Sequence, residues 1–280
     1  MKKIMLFLAV AGIMAACNND NEVVNEPQYI TEFKAVFGGA DTRMTATADN
    51  GLKFAWDDGD KLYVFNPNDE LDYYVYVYDL SNDKFNLDFS NYYNEGLTVN
   101  ESYFATSQIL DTESYTSVGE KFAVKTNFYD AHLSNIPLIS DLFFAKADGT
   151  IATMHHTVGV VEVPVKLSAE STISELELSG VIITVEGANV IGQFYATPES
   201  PYYAGIIEGY EESYANQSAT LNKSTSVSFF IPMLPGTYVN PKLSYYDEND
   251  NLAAEPELTG TLTIERGMVT QLPVQEVTLN

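Results

Sequence analysis

"YITEFKAVF", Tyr29–Phe37, decides how the rest of the chain is read. It alternates, with Ile30, Glu32, Lys34 and Val36 on one side and Tyr29, Thr31, Phe33, Ala35 and Phe37 on the other. A period of two places successive side chains on opposite faces of an extended strand, whereas a helix repeats near 3.6. The same alternation recurs downstream. "LKFAW" (52–56) and "KLYVF" (61–65) flank the turn Asp57-Asp58-Gly59-Asp60. "YYVYVYDL" (73–80) sets Tyr74, Tyr76 and Tyr78 against Val75 and Val77. "KFNLDF" (84–89) sets Phe85, Leu87 and Phe89 against Asn86 and Asp88.

"SYFAT", "KFAVKT" and "DLFFAKADG" carry the pattern to residue 149, and a second series follows. It runs through "TVGVVEVPVKL" (157–167), "ISELELSG" (173–180), "VIITVEG" (181–187) and "STSVSFFIP" (224–232). It ends with "TYVNPKLSYYD" (237–247), "LTGTLTIERG" (258–267) and "MVTQLPVQEVTLN" (268–280). About fifteen short strands between Gly, Asn, Asp and Pro turns, with no amphipathic helical window, predict an all-β fold of antiparallel β-sandwich domains. A domain boundary is expected near "AKADGTIAT" (145–153), giving units 29–150 and 151–280. The Tyr-rich stretch 200–219 has no clean period and is expected to form a long loop or a protruding hairpin.

Upstream of Tyr29 the chain has a different character. Met1-Lys2-Lys3 is followed by an uncharged run from Ile4 to Ala16. A cationic start, a short apolar segment and small residues at its end make an export signal, here 1–16, too short for a spanning helix. Met14-Ala15-Ala16-Cys17 resembles a bacterial lipobox, with Cys17 the chain's one cysteine. In such signals the thiol takes a diacylglyceryl group, cleavage separates Ala16 from Cys17, and the new amine is acylated. Acyl chains bury about 0.8 kcal/mol per methylene, so several give a lasting anchor. Residues 17–28, with "NNDNEVVNEPQ" after the cysteine, are expected to be a flexible tether. After such processing the chain has no disulfide, cysteine metal site or catalytic thiol.

The formal charge is −25 at pH 7, and losing Lys2 and Lys3 with the signal takes it to −27. That balance opposes nucleic acid as a partner and close electrostatic adhesion to anionic lipid. It favours solubility outside the cell.

The residues offer little for catalysis, and the expectation is a protein that is not an enzyme and uses no cofactor. The three histidines are His132, His155 and His156. The adjacent pair points to opposite faces if it lies on a strand, so one metal does not easily take both. Phosphate-binding, nucleophile-elbow and zinc-protease motifs do not occur. The acidic stretches "DDGD" (57–60) and "DENDN" (247–251) lack the EF-hand pattern and read more simply as turns in which Asp and Asn bond their own backbone. The tyrosine stripe has two readings, a sugar-stacking platform or a sheet face packed on its partner. Trp56 is expected to anchor the first core.

Four features together resemble the fimbrillin-like lipoproteins of Gram-negative gut and oral bacteria, the subunits of lipoprotein-derived (type V) pili. They are the lipobox at Cys17, "DTRMTATADNGLKFAWDDGDKLYVF" (41–65), "HHTVGVVEVPVKLSAESTISELELSG" (155–180), and the ending "FFIPMLPGTYVNPKLSYYD" with "LTIERGMVTQL". Each motif is loose, and their order carries the likeness over nearly the whole chain. The resemblance implies two transthyretin-like β-sandwich domains in tandem and assembly by β-strand exchange. In that scheme a protease cuts after a basic residue in the loop behind the first strand. Arg43 lies in such a loop, so cleavage between Arg43 and Met44 would remove the lipid, the tether and strand 29–37 together. A solvated loop arginine is the plain alternative.

The implied partners are other pilus subunits, the outer membrane through the lipid, and a host protein or glycan as adhesion target. The implied location is the outer membrane, cell surface and fimbrium, in a stalk, tip or anchor role. The second function class is a surface lipoprotein that binds glycan on Tyr202, Tyr203 and Tyr210 and does not polymerise. The run 268–280 is the other candidate for exchange, or simply closes its domain. Pro273 has no N–H for a ladder and belongs on an edge.

Overall fold

The computed structural model describes residues 28–37, 56–65, 73–90, 97–107, 115–118, 121–126, 138–144, 151–196 and 205–279. Every regular element among them is a strand. The first series is β1 (Tyr29–Ile30), β2 (Glu32–Phe37), β3 (Lys61–Phe65), β4 (Tyr73–Asp79), β5 (Lys84–Leu87) and β6 (Leu97–Thr98). It continues with β7 (Ser102–Thr106), β8 (Tyr115–Val118), β9 (Lys121–Thr126), β10 (Leu138–Phe143) and β11 (Ile151–His156). The second series opens with β12 (Gly159–Leu167), β13 (Glu175–Thr184), β14 (Ile191–Ala196), β15 (Gly205–Tyr210), β16 (Glu212–Ala215) and β17 (Ala219–Asn222). It closes with β18 (Val227–Met233), β19 (Gly236–Val239), β20 (Lys242–Asp247), β21 (Leu252–Ala254), β22 (Thr261–Ile264), β23 (Val269–Gln271) and β24 (Gln275–Val277).

The all-β expectation is met. The first half differs from two open facing sheets, because hydrogen bonding runs round a closed ring in the order β10-β11-β2-β5-β4-β3-β7. The seam is a parallel pair, with Ile151, Ala152, Thr153 and Met154 opposite Lys34, Ala35, Val36 and Phe37. Parallel pairing of segments so far apart in sequence leaves no local signature, unlike a hairpin turn. Residue 151, the expected start of the second domain, thus opens a strand of the first ring.

Inside the ring the period-two reading works as the pleat demands. Leu62 and Val64 of β3, Phe85 and Leu87 of β5 and Tyr76 and Tyr78 of β4 are all buried in one cluster. Each buried side chain of this size contributes about 1.5–3 kcal/mol by leaving water. Phe89, expected beside Phe85 and Leu87, is 54% exposed. The strand stops before it. The Asp88 carboxylate accepts from Ser90 N–H at 2.9 Å and from its hydroxyl at 2.6 Å, turning the chain out of the sheet.

β12 explains the near-continuous apolar run 157–167. Val158 and Val160 belong to the first core, while Val161, Val163, Val165 and Leu167 belong to a second core with Ile183, Phe229 and Leu243. A strand covered on both faces has no solvated side on which to place polar residues. Gly159 is required there, since a Cβ would stand 2.3 Å from the Glu265 carbonyl oxygen. β18 pairs with β12 on one side, and β23 and β24 pair with it in parallel on the other. β23 meets residues 160–162 and β24 meets 165–167, which leaves Pro164 in the gap where no ladder N–H is needed.

Of the stretch 200–219, expected as a long loop or a protruding hairpin, the described residues 205–219 carry β15, β16 and the first residue of β17. β15 pairs antiparallel with β14, whose other neighbour is β9, and the chain crosses at Glu211 into β16 on a different sheet.

Candidate functional site: the leading strand and its groove

The alternation in 29–37 is interrupted. Thr31 lies outside both strands, and the phase resets after it. Ile30, expected on the same side as Glu32 and Lys34, is instead buried, and so is Phe33 three residues on. Thr31, expected beside Phe33, is exposed, as are Glu32 and Val36, which share one side as expected.

Three separate strands hold this short segment. β1 pairs with β6, placing Ile30 opposite Leu97. Glu32 and Phe33 pair antiparallel with Asn86 and Phe85 of β5. Residues 34–37 then pair in parallel with β11 on the opposite side. Three carbonyls of the segment, and that of Gln28 just before it, receive further donors. Val99 N–H reaches Gln28 O at 3.3 Å, and Leu87 N–H reaches Thr31 O at 2.8 Å. The Tyr76 hydroxyl donates to Ile30 O at 2.6 Å, and the Trp56 indole N–H donates to Ala35 O at 3.0 Å.

Phe33 sits in an aromatic box. Its ring centroid lies 4.8 Å from Tyr76, 5.5 Å from Phe144 and 5.9 Å from Phe85, in tilted or stacked arrangements that suit the ring quadrupoles. Trp56 meets Phe85 edge-on at 4.8 Å, which closes the same wall. Burial pushes the Tyr76 hydroxyl well above the ordinary tyrosine range, and the backbone amide of Leu97 opposes this only in part. Tyr76 is therefore a neutral donor at any physiological pH. The outer face carries two ion pairs, Lys34 with Asp83 at 2.7 Å and Lys84 with Glu32.

Cys17, Ala16, Arg43 and Met44 lie outside the described residues, as do His132, Tyr202 and Tyr203. The tyrosine stripe of β4 is a packed face, with Tyr76 and Tyr78 buried in the ring, so it offers no sugar platform there. Tyr210 is half-buried against the first core and does not stand out as a free aromatic. His155 and His156 take opposite faces of β11, one half-buried and one buried. The "DDGD" turn is closed internally. Asp57 N–H donates to the Asp60 carboxylate at 2.7 Å, and Gly59 supplies the positive φ of 91°. In "DENDN" the Asp247 carboxylate accepts from Asn249 and Asn251 N–H, each at 2.9 Å. Among the described residues no three His, Cys, Asp or Glu side chains gather as a metal site would need.

Trp56 does pack against the first core. Its second use, and that of Tyr76, was not visible in the sequence. The one available hint was polar tips on two aromatics at buried positions, since such tips usually find a partner. The 269–277 segment lies on an edge, as Pro273 required, because β23 and β24 have no strand on their other side among the described residues.

No family model matches the chain, and no curated protein is found similar to it. Solved structures with a related arrangement do exist. One is a candidate cell adhesion protein from Bacteroides ovatus, 12% identical, covering 77% of this chain and 81% of that one with a TM-score of 0.49. A candidate cell adhesion protein from Bacteroides uniformis is 8% identical, covering 81% and 84% with a TM-score of 0.42. A fimbrial protein from Bacteroides ovatus is 12% identical with a TM-score of 0.40, covering 91% of this chain, which spans only 51% of that protein. Likeness this distant decides neither the activity nor the partners of the present chain.

Proposed function

We propose that this protein is a structural subunit of a surface filament, in a stalk, tip or anchor role, with adhesion as its task and no enzymatic activity. It is exported with the signal 1–16, lipidated on Cys17 and carried to the outer membrane. It assembles when cleavage between Arg43 and Met44 frees the leading strand and a strand from another subunit takes its place. The same kind of role, adhesion or fimbrial, is named for the solved proteins described above.

One observation carries the reading. Strand 29–37 lies in a groove bounded by β5, β6 and β11, gripped along its backbone, and the proposed cut lies a few residues beyond it. Its departure would leave a row of unpaired backbone groups over emptied apolar pockets, the template that β-augmentation uses.

The test is treatment of the full chain with an Arg-specific protease, followed by N-terminal sequencing and electron microscopy. The expected product starts at Met44, sheds its leading segment and forms filaments or oligomers. A chain that stays whole at Arg43, or is cut there but keeps its segment and remains monomeric, sinks the proposal.

A further inference from the structure

We infer that the groove beneath strand 29–37 selects its occupant by a fixed code, an apolar residue followed three positions later by an aromatic ring. Tyr76 and Trp56 lock the register by reading two backbone carbonyls. Resting on the exchange reading, this names the partner's chemistry as an extended segment of another chain that carries that spacing.

The spacing follows from the break at Thr31. A regular strand would send residues 30 and 33 to opposite faces, yet both Ile30 and Phe33 are buried, at 1% and 2% exposure. An occupant must therefore carry the same local break or leave one pocket empty. The carbonyl readers tighten the requirement. Tyr76 meets the carbonyl of the residue in the first pocket, and Trp56 meets the carbonyl two residues after the ring. A one-residue slip would turn the carbonyl that each donor reads to the opposite edge of the strand and turn Phe33 out of its box. Because donors read backbone rather than side chains, residues between the anchors are free to vary.

The code excludes one occupant. The run 268–280, "MVTQLPVQEVTLN", contains no aromatic residue and cannot fill the box between Tyr76, Phe85 and Phe144. A second copy's trailing strand is thus the wrong key, and the occupant is a segment that carries the spacing of Ile30 and Phe33.

The experiment has two arms. In the first, hydrogen exchange is followed in the intact chain for Tyr76→Phe, for Trp56→Phe and for a deletion of Thr31. Tyr76→Phe removes a single oxygen, so it keeps the box filled and the fold testable. Amides of β2 should exchange about tenfold faster in Tyr76→Phe, with amides of β12 unchanged, and faster still in the deletion. Unchanged protection of β2 in Tyr76→Phe and in the deletion overturns the inference. In the second arm, the chain cut at Arg43 is offered labelled peptides of residues 28–37, the same peptide with Phe33→Ala, and residues 268–280. The native peptide should bind, the alanine peptide at least tenfold more weakly, and the trailing peptide not measurably. Equal binding of the trailing peptide overturns the code. If no peptide binds while the first arm loosens β2 as expected, the code for the resident strand stands and the exchange reading falls.

Discussion

Strand 29–37 and strand 269–277 are added to the fold in the same way and held in different ways. Each pairs in parallel with a segment far off in sequence, Lys34 with Ile151 in one case and Gln275 with Val165 in the other. The leading strand uses both of its edges, β5 taking its first residues and β11 its last, while two side chains cap carbonyls from the core. Among the described residues the trailing strand ladders along one edge only, against β12, with side-chain ties from Thr270 to Thr263 O and from Ser171 to Val277 O. Removing the trailing strand would uncover one edge, which water or a neighbouring chain could solvate or extend. Removing the leading strand would open a slot with two walls and a floor of aromatic rings. A slot specifies what refills it, and an edge specifies much less.

The sharpest way to break this contrast is to empty one anchor in each strand. Phe33→Ala removes a ring from a closed aromatic box and is expected to cost about 3–5 kcal/mol of unfolding free energy. Val277→Ala, at an edge position that is nonetheless buried, should cost about 1.5–3 kcal/mol. Denaturant melts of the two variants measure both. Equal losses would mean that the leading strand is no more deeply built than the trailing one.

Acid acts next, at the end of β11, where His156 lies beyond the residues that pair with the leading strand and next to Gly267 ahead of the trailing one. His156 is buried there and has its pKa lowered to about 4, first by burial and then by His155 and Arg266. The fold keeps this imidazole neutral, while the unfolded chain protonates it near pH 6.5. Its contribution is present in full above pH 6.5 and is lost as pH falls towards 4. The loss amounts to on the order of 3 kcal/mol. Stability measured across that window should fall more steeply in the parent than in His156→Gln, whose carboxylates are otherwise the same. Parallel slopes would show that the imidazole is not buried as described.

Much of this was legible in advance, and the reasons are physical. Period-two patterning gave the all-β class, because a sheet with one buried face writes that pattern into every strand, as in Leu62 and Val64. Pro273 announced an edge because a missing N–H cannot hide inside a ladder. What stayed hidden was non-local. The parallel seam between β2 and β11 has no turn to advertise it, so the ring was read as open sheets. The break at Thr31 is a register matter settled by three different neighbours, and nothing in "YITEF" encodes it. The tyrosines of β4 left two readings open because tyrosine suits a wet platform and a packed wall equally. Only the position of the opposing strands, with Phe33 against Tyr76, decides between them.

The second core supplies a control for the carbonyl-reading tyrosine. Tyr245 is as fully buried as Tyr76, yet its hydroxyl has no hydrogen-bond partner among the described residues. A buried donor left unpaired costs stability, so Tyr245→Phe should leave the protein unchanged or up to about 1 kcal/mol more stable. The same substitution at Tyr76 should destabilise the leading strand. A thermal melt of the pair reads the difference, and matching shifts would deprive the Tyr76 bond to Ile30 of its special role.

The smallest effect is expected where the leading strand looks most visibly fastened. Lys34 pairs with Asp83 at 2.7 Å, but the two side chains are 44% and 69% exposed. Such a pair gives up side-chain entropy and is screened by water and salt, so Lys34→Ala should cost no more than about 0.5 kcal/mol and less at high ionic strength. Were the loss instead comparable to that of Phe33→Ala, the strand would be held from outside by charge. The groove would then lose its claim to select by shape, since an occupant with a lysine in place would bind whatever rings it carried. A salt titration of the Lys34→Ala and Phe33→Ala variants therefore weighs the surface against the box, and the box should dominate at every salt concentration.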